Sequence, residues 1–109
     1  TLTTPNVGIA TATHIIGGSG TPSIAAGSGA GTSPSGVSVS GTDIAGEITF
    51  TTGTTPPTSA TVITITFATA YGSAPKVILT PSNLAASESS AIYGVGLYAT
   101  STTTTFLIL

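Results

Sequence analysis

Between Thr61 and Phe67 the chain alternates strictly, with Ile63, Ile65 and Phe67 at one parity and Val62, Thr64 and Thr66 at the other. A period of two is that of a strand, whose successive side chains leave opposite faces. Gly46–Thr51 repeats the pattern, placing Ile48 and Phe50 inward and Glu47, Thr49 and Thr51 outward. The same test predicts strands over Val37–Ser40, Lys76–Thr80, Ala91–Ala99 and Thr103–Leu109, and two short ones over Val7–Ala10 and Thr13–Ile16. β-Branched residues dominate these runs and good helix formers are scarce.

Turn chemistry separates the runs. Thr52–Ser59, with Gly53, Pro56 and Pro57, reads as a hairpin loop of more than minimal length. Tyr71–Pro75 is a turn that re-enters a strand at Lys76. Ser82–Ser90 lacks Gly and Pro and reads as a short helical turn or an exposed loop. Short strands at such intervals predict an all-β fold, a small antiparallel β-barrel or a Greek-key sandwich.

The first 36 residues differ from the rest. Gly17–Gly36 is rich in Gly, Ser, Ala, Pro and Thr and has little core potential. It contains Gly27-Ser28-Gly29-Ala30-Gly31, which as a phosphate loop would need a buried strand before it and a helix after it. An extended connector is the expected reading. The division that follows is a neck segment over residues 1–36 and a β-barrel head over residues 37–109. A chain starting at Thr1 without Met is expected to be a piece of a longer polypeptide.

Charge changes the picture most. The 109 residues include one Lys+Arg and three Asp+Glu, 4% in all, where about a quarter is usual. Solubility therefore rests on Thr and Ser hydroxyls, and a mean hydropathy of +0.53 argues against a disordered tail. A net charge of −2 with Lys76 as the sole basic side chain of the Lys/Arg type excludes nucleic-acid binding and attachment to anionic membranes. No apolar run approaches the roughly 18–20 residues of a membrane-spanning helix. With no cysteine there is no disulfide or zinc–thiolate site. Near-absence of Lys and Arg leaves trypsin-like proteases almost nothing to cut, which fits either compositional drift or a molecule exposed to a harsh exterior.

Candidate chemistry is sparse. The acids are Asp43, Glu47 and Glu88. Asp43 and Glu47 flank a turn, where Asp43 is expected to act as a cap and not as half of an acid–base pair. His14, the sole histidine, is poor material for a metal site or a triad. The expectation is a protein that is not an enzyme and needs no cofactor. Glycan binding asks for an aromatic face and a few planar polar groups. The sequence offers Glu88, Asn83 and Ser89 in the Ser82–Ser90 loop, followed by Tyr93 and Tyr98 in a strand made shallow by Gly94 and Gly96. His14 is a further hydrogen-bonding candidate.

The segments Gly27–Thr32 (GSGAGT), Val37–Gly46 (VSVSGTDIAG), Ile48–Gly53 (ITFTTG), Val62–Tyr71 (VITITFATAY), Ala74–Pro81 (APKVILTP) and Ser101–Phe106 (STTTTF) resemble the C-terminal head domains of phage tail receptor-binding proteins. Those of siphophages infecting lactococci are the nearest in character. The resemblance spans residues 27–109 and lies in the habits of a β scaffold, not in catalytic signatures. It implies a homotrimer of small β-barrel heads at the virion tail tip, joined to upstream neck and shoulder regions of the same tail protein. Each head would bind host cell-surface polysaccharide without cleaving it and without inserting into a membrane. Heads of that family can use a tryptophan, an arginine, a histidine and an acid around the sugar, but this chain has no Trp and no Arg. The competing readings are a purely structural tail-fibre or bacterial surface domain, and a glycan-cleaving tail spike, which would want a carboxylate pair.

Overall fold

The computed structural model describes residues 8–9, 11–18, 20–57, 60–83 and 99–109. The fold is all-β, with six strands: β1 (Ser23–Ala26), β2 (Ser35–Gly41), β3 (Gly46–Thr51), β4 (Ile63–Thr66), β5 (Ala99–Ser101) and β6 (Thr105–Ile108). One sheet has the order β1-β4-β6-β5 and the other pairs β2 with β3. Every pairing is antiparallel. Among the described residues the strands form no closed barrel; the arrangement is sandwich-like.

The alternation in β4 explains its central place. Ile63 and Ile65 are fully buried, and Phe67, just beyond the strand, is 8% exposed. Ile108 of β6 completes the buried cluster. Val37 and Val39 of β2 and Ile48 and Phe50 of β3 pack on that cluster, as do Ile24, Leu79 and Phe106. Apolar residues of β1, β2, β3, β4 and β6 therefore meet in one layer between the sheets. Fully burying a branched aliphatic side chain contributes about 1.5–3 kcal/mol, so Ile63 and Ile65 are the centre of this fold energetically. Phe67 adds an edge-on contact with Tyr71, ring centroids 4.9 Å apart at 81°, and a tilted one with Phe106 at 5.7 Å.

On the opposite parity of β2 and β3, small polar side chains face solvent. Ser38 and Thr49 are register partners whose hydroxyls share a 2.6 Å hydrogen bond. From Ser35 to Ser38 β2 advances three residues while its partner moves two, from Thr51 to Thr49. The extra residue is a bulge, and Gly36 takes the positive φ of 61° that it needs. The β5–β6 hairpin is closed by Thr102, whose hydroxyl accepts the backbone N–H groups of Thr104 at 3.2 Å and Thr105 at 3.0 Å. A threonine run thus carries its own turn lock.

Three expectations need correction. The first concerns Thr52–Ser59, which does not join two strands as a hairpin: β3 pairs with β2, and β4 with β1 and β6. Its described part instead crosses between sheets, with Thr54 bridging back to Thr32. The second concerns Gly17–Gly36, which is not all connector. Ser23–Ala26 is β1, hydrogen-bonded along β4, and Ala30 is fully buried. Gly27 and Gly29 donate their N–H groups to the carbonyls of Val62 and Thr61 at 2.9 and 2.8 Å. Here glycine permits close backbone approach: a Cβ on Gly29 would lie 2.5 Å from the Ala60 carbonyl oxygen. A glycine-rich run gains burial by packing backbone on backbone, which hydrophobic patterning cannot register. The third concerns Thr13–Ile16 and Lys76–Thr80, which form no ladder among the described residues. Ile15 and Ile16 are both 83% exposed, so the apolar pair in the first segment buries nothing. Lys76–Thr80 keeps its alternation, with Val77 and Leu79 half-buried and Lys76, Ile78 and Thr80 exposed. Of the other two expected strands, Ala91–Ala99 lies outside the described residues except for Ala99, and Val7–Ala10 is described only at Gly8 and Ile9.

Candidate functional site

A groove of about 460 Å³ runs beside β3. Gly46, Glu47, Ile48 and Phe50 line it from that strand, the extended stretch Ile78–Ser82 lines it as well, and Ile108 reaches it from the core. Among the described residues β3 pairs only with β2, so it is an edge strand on the groove. The lining brings the apolar residues Phe50, Ile78 and Pro81 together with the polar residues Thr80, Ser82 and Glu47. Such a mixture suits a ligand with an apolar face and hydroxyl donors at its rim.

Two features position Glu47. The β2–β3 register sets it opposite Ser40 at the start of β3, one pair from Gly41↔Gly46. The turn between these strands is held by the Thr42 N–H donating to the Ala45 carbonyl at 2.9 Å. Gly41, at φ 104°, lets the chain reverse there. Glu47 is exposed and has no hydrogen-bond or ion-pair partner among the described residues.

Asp43 has a different role. Its carboxylate accepts the N–H groups of Ala68 at 2.8 Å and Thr69 at 2.9 Å, and the Tyr71 hydroxyl donates to its backbone carbonyl at 2.9 Å. The expected cap is thus a cap on a segment far along the chain, not on its own turn. A smaller recess of about 250 Å³ lies there, lined by Gly17, Gly18, Asp43, Ile44 and Thr69–Tyr71. With both carboxylate oxygens committed to backbone, it offers little for a ligand.

The sequence-derived candidates are only partly placed. Glu88, Ser89, Tyr93 and Tyr98 lie outside the described residues. Asn83 is exposed and directly follows Ser82, at one end of the groove. His14 is exposed and belongs to no strand, and it lines neither recess. Its expected strand is absent because its neighbours Ile15 and Ile16 find no core to enter. The groove's own polar residues, Glu47, Thr80 and Ser82, were not among the expected sugar contacts. Alternation marked Glu47 as outward-facing, but only tertiary packing brings β3 and residues 78–82 onto one groove.

Among the described residues, no group of three or more His, Asp or Glu side chains is close enough to hold a metal ion. Comparison with protein-family models, curated proteins and solved structures finds no significant match to this chain.

Proposed function

We propose that this domain is a host-recognition head of a phage tail receptor-binding protein, acting as a trimer on the virion and binding cell-wall saccharide without cleaving it. The groove beside β3 is the observation that carries the reading. It joins the apolar surface of Phe50, Ile78 and Pro81 to hydroxyl and carboxylate acceptors within one concave surface, the combination a sugar ring requires. The two acids among the described residues are not used as a pair: Asp43 holds backbone N–H groups while Glu47 stands at the groove. Binding without hydrolysis is consistent with that division of labour. Five isoleucines at 62–101% exposure, Ile9, Ile15, Ile16, Ile44 and Ile78, support assembly, since burial between copies would remove them from water.

Binding of the purified chain to oligosaccharide arrays and to host cell walls tests the proposal. The expected result is saturable binding, weakened about tenfold or more when Phe50 and Thr80 are replaced together by Ala and Val. Alanine at Glu88, Tyr93 and Tyr98 measures how much binding those residues carry. Absence of binding in a trimeric sample, across arrays and cell walls, would leave the purely structural reading standing. Sedimentation checks the assembly itself; a monomer at micromolar concentration rejects the trimer.

A further inference from the structure

The lining of the β3 groove holds one ionisable side chain, Glu47, exposed and without a partner among the described residues. An ionised carboxylate only accepts hydrogen bonds. It can take a sugar hydroxyl, but an ammonium adds charge attraction to the same bond. A phosphate or uronate would meet like charge there, with no cation among the described lining residues to offset it.

The remaining charged groups among the described residues do not reverse this sign, and Glu88, which lies outside them, is itself an acid. Lys76 is exposed at the parity of Ile78 and Thr80 but lies one strand repeat beyond the lined stretch. His14 is not part of the lining, and the Asp43 carboxylate is held by Ala68 and Thr69. The chain as a whole carries −2, which adds a weak bias against polyanions.

We propose that this groove selects saccharides by charge, through Glu47, taking sugars that bear a free amino group in preference to neutral ones and disfavouring phosphorylated or uronic ones. The inference rests on the saccharide-binding reading and deepens it. Exposed ion pairs contribute about 0.2–1 kcal/mol, so the preference is about 1.4- to 5-fold at low ionic strength and fades as salt screens it.

Titration calorimetry of the full chain with three oligosaccharides of equal length tests this: an N-acetylglucosamine oligomer, its fully de-N-acetylated form, and an oligogalacturonate. The measurement is made at mildly acidic pH, where the amine is protonated, in low salt and again in about 0.5 M salt. The amino form should bind about 1.4- to 5-fold tighter than the acetylated one in low salt, with the uronate weakest. Glu47→Gln should abolish that preference, lowering affinity for the amino form more than for the acetylated one, and Lys76→Gln should leave the preference intact. Equal affinities in the wild-type chain overturn the inference. A preference for the uronate that disappears in Lys76→Gln also overturns it. In both cases binding of the acetylated oligomer leaves the saccharide reading intact, whereas no binding of any saccharide removes both.

Discussion

The Tyr71 hydroxyl donates to the backbone carbonyl of Asp43 at 2.9 Å, while the Asp43 carboxylate accepts the N–H groups of Ala68 and Thr69 just before that tyrosine. The β2–β3 turn and the segment leaving β4 are thereby clamped from both sides. Because β2–β3 and β4 belong to different sheets, this clamp links the two layers where strand pairing does not. It also fixes the turn from which β3 carries Glu47 to the groove.

Asp43→Ala should therefore destabilise the domain by about 1–2 kcal/mol, since water can reach these exposed donors and replace part of the loss. For a domain of this size that corresponds to a fall in Tm of roughly 5–10 °C. Tyr71→Phe should cost less, because one neutral hydrogen bond is lost and the ring contact with Phe67 remains. Thermal unfolding followed by circular dichroism compares the two; equal stability of Asp43→Ala and wild type would rule out the clamp.

Gly53, between β3 and β4, and Gly36, in the bulge of β2, should differ sharply in tolerance. A Cβ on Gly53 would lie 1.9 Å from the Thr32 carbonyl oxygen, across the Thr32–Thr54 bridge. Gly53→Ala must break that bridge, at a cost of about 3 kcal/mol. Gly36 has open space around it, and only its φ of 61° resists substitution, so Gly36→Ala should cost about 1 kcal/mol. Urea unfolding of the two variants gives the order directly, and a reversed order would contradict the backbone contact.

Thr102→Val keeps the shape of the side chain but removes the hydroxyl that accepts from Thr104 and Thr105. A loss of about 1 kcal/mol is expected. Hydrogen exchange should locate the effect in the β5–β6 hairpin, with faster exchange at the Thr104 and Thr105 amides. Unchanged exchange there would mean that backbone pairing alone closes the turn.

Lys76 is the single Lys or Arg side chain of the chain, so trypsin has one place to cut. Although Lys76 is exposed, its neighbour Val77 is half-buried and Leu79 packs on the core. Cleavage should therefore require local opening and track the population of the open form. Intact mass spectrometry of trypsin-treated protein should show one slow nick, faster in Asp43→Ala and absent in Lys76→Gln. A nick as fast as in a peptide substrate would show that residues 76–79 are not held.

Much of the sheet structure was legible because it depends on parity. Ile63, Ile65 and Phe67 announce the buried face of β4, and Ile48 and Phe50 that of β3, whatever lies across the core. Gly46–Thr51 is predicted over the same span that it occupies. Local turn chemistry was less reliable: Pro56 and Pro57 mark a change of direction but not which sheet the chain enters next.

By itself the sequence determined the all-β character, the inward faces of β3 and β4, and the scarcity of charge. Each follows from side-chain identity and a two-residue period, which need no knowledge of partners. Tertiary structure alone decided that the Gly27–Gly31 run packs backbone against residues 60–62, and that Asp43 reaches across to Ala68 and Thr69. It alone brought Glu47 and Thr80 onto one groove. These relationships join groups far apart in the chain through hydrogen bonds and close approach. Their geometry depends on how the sheets stack, and no local pattern encodes that.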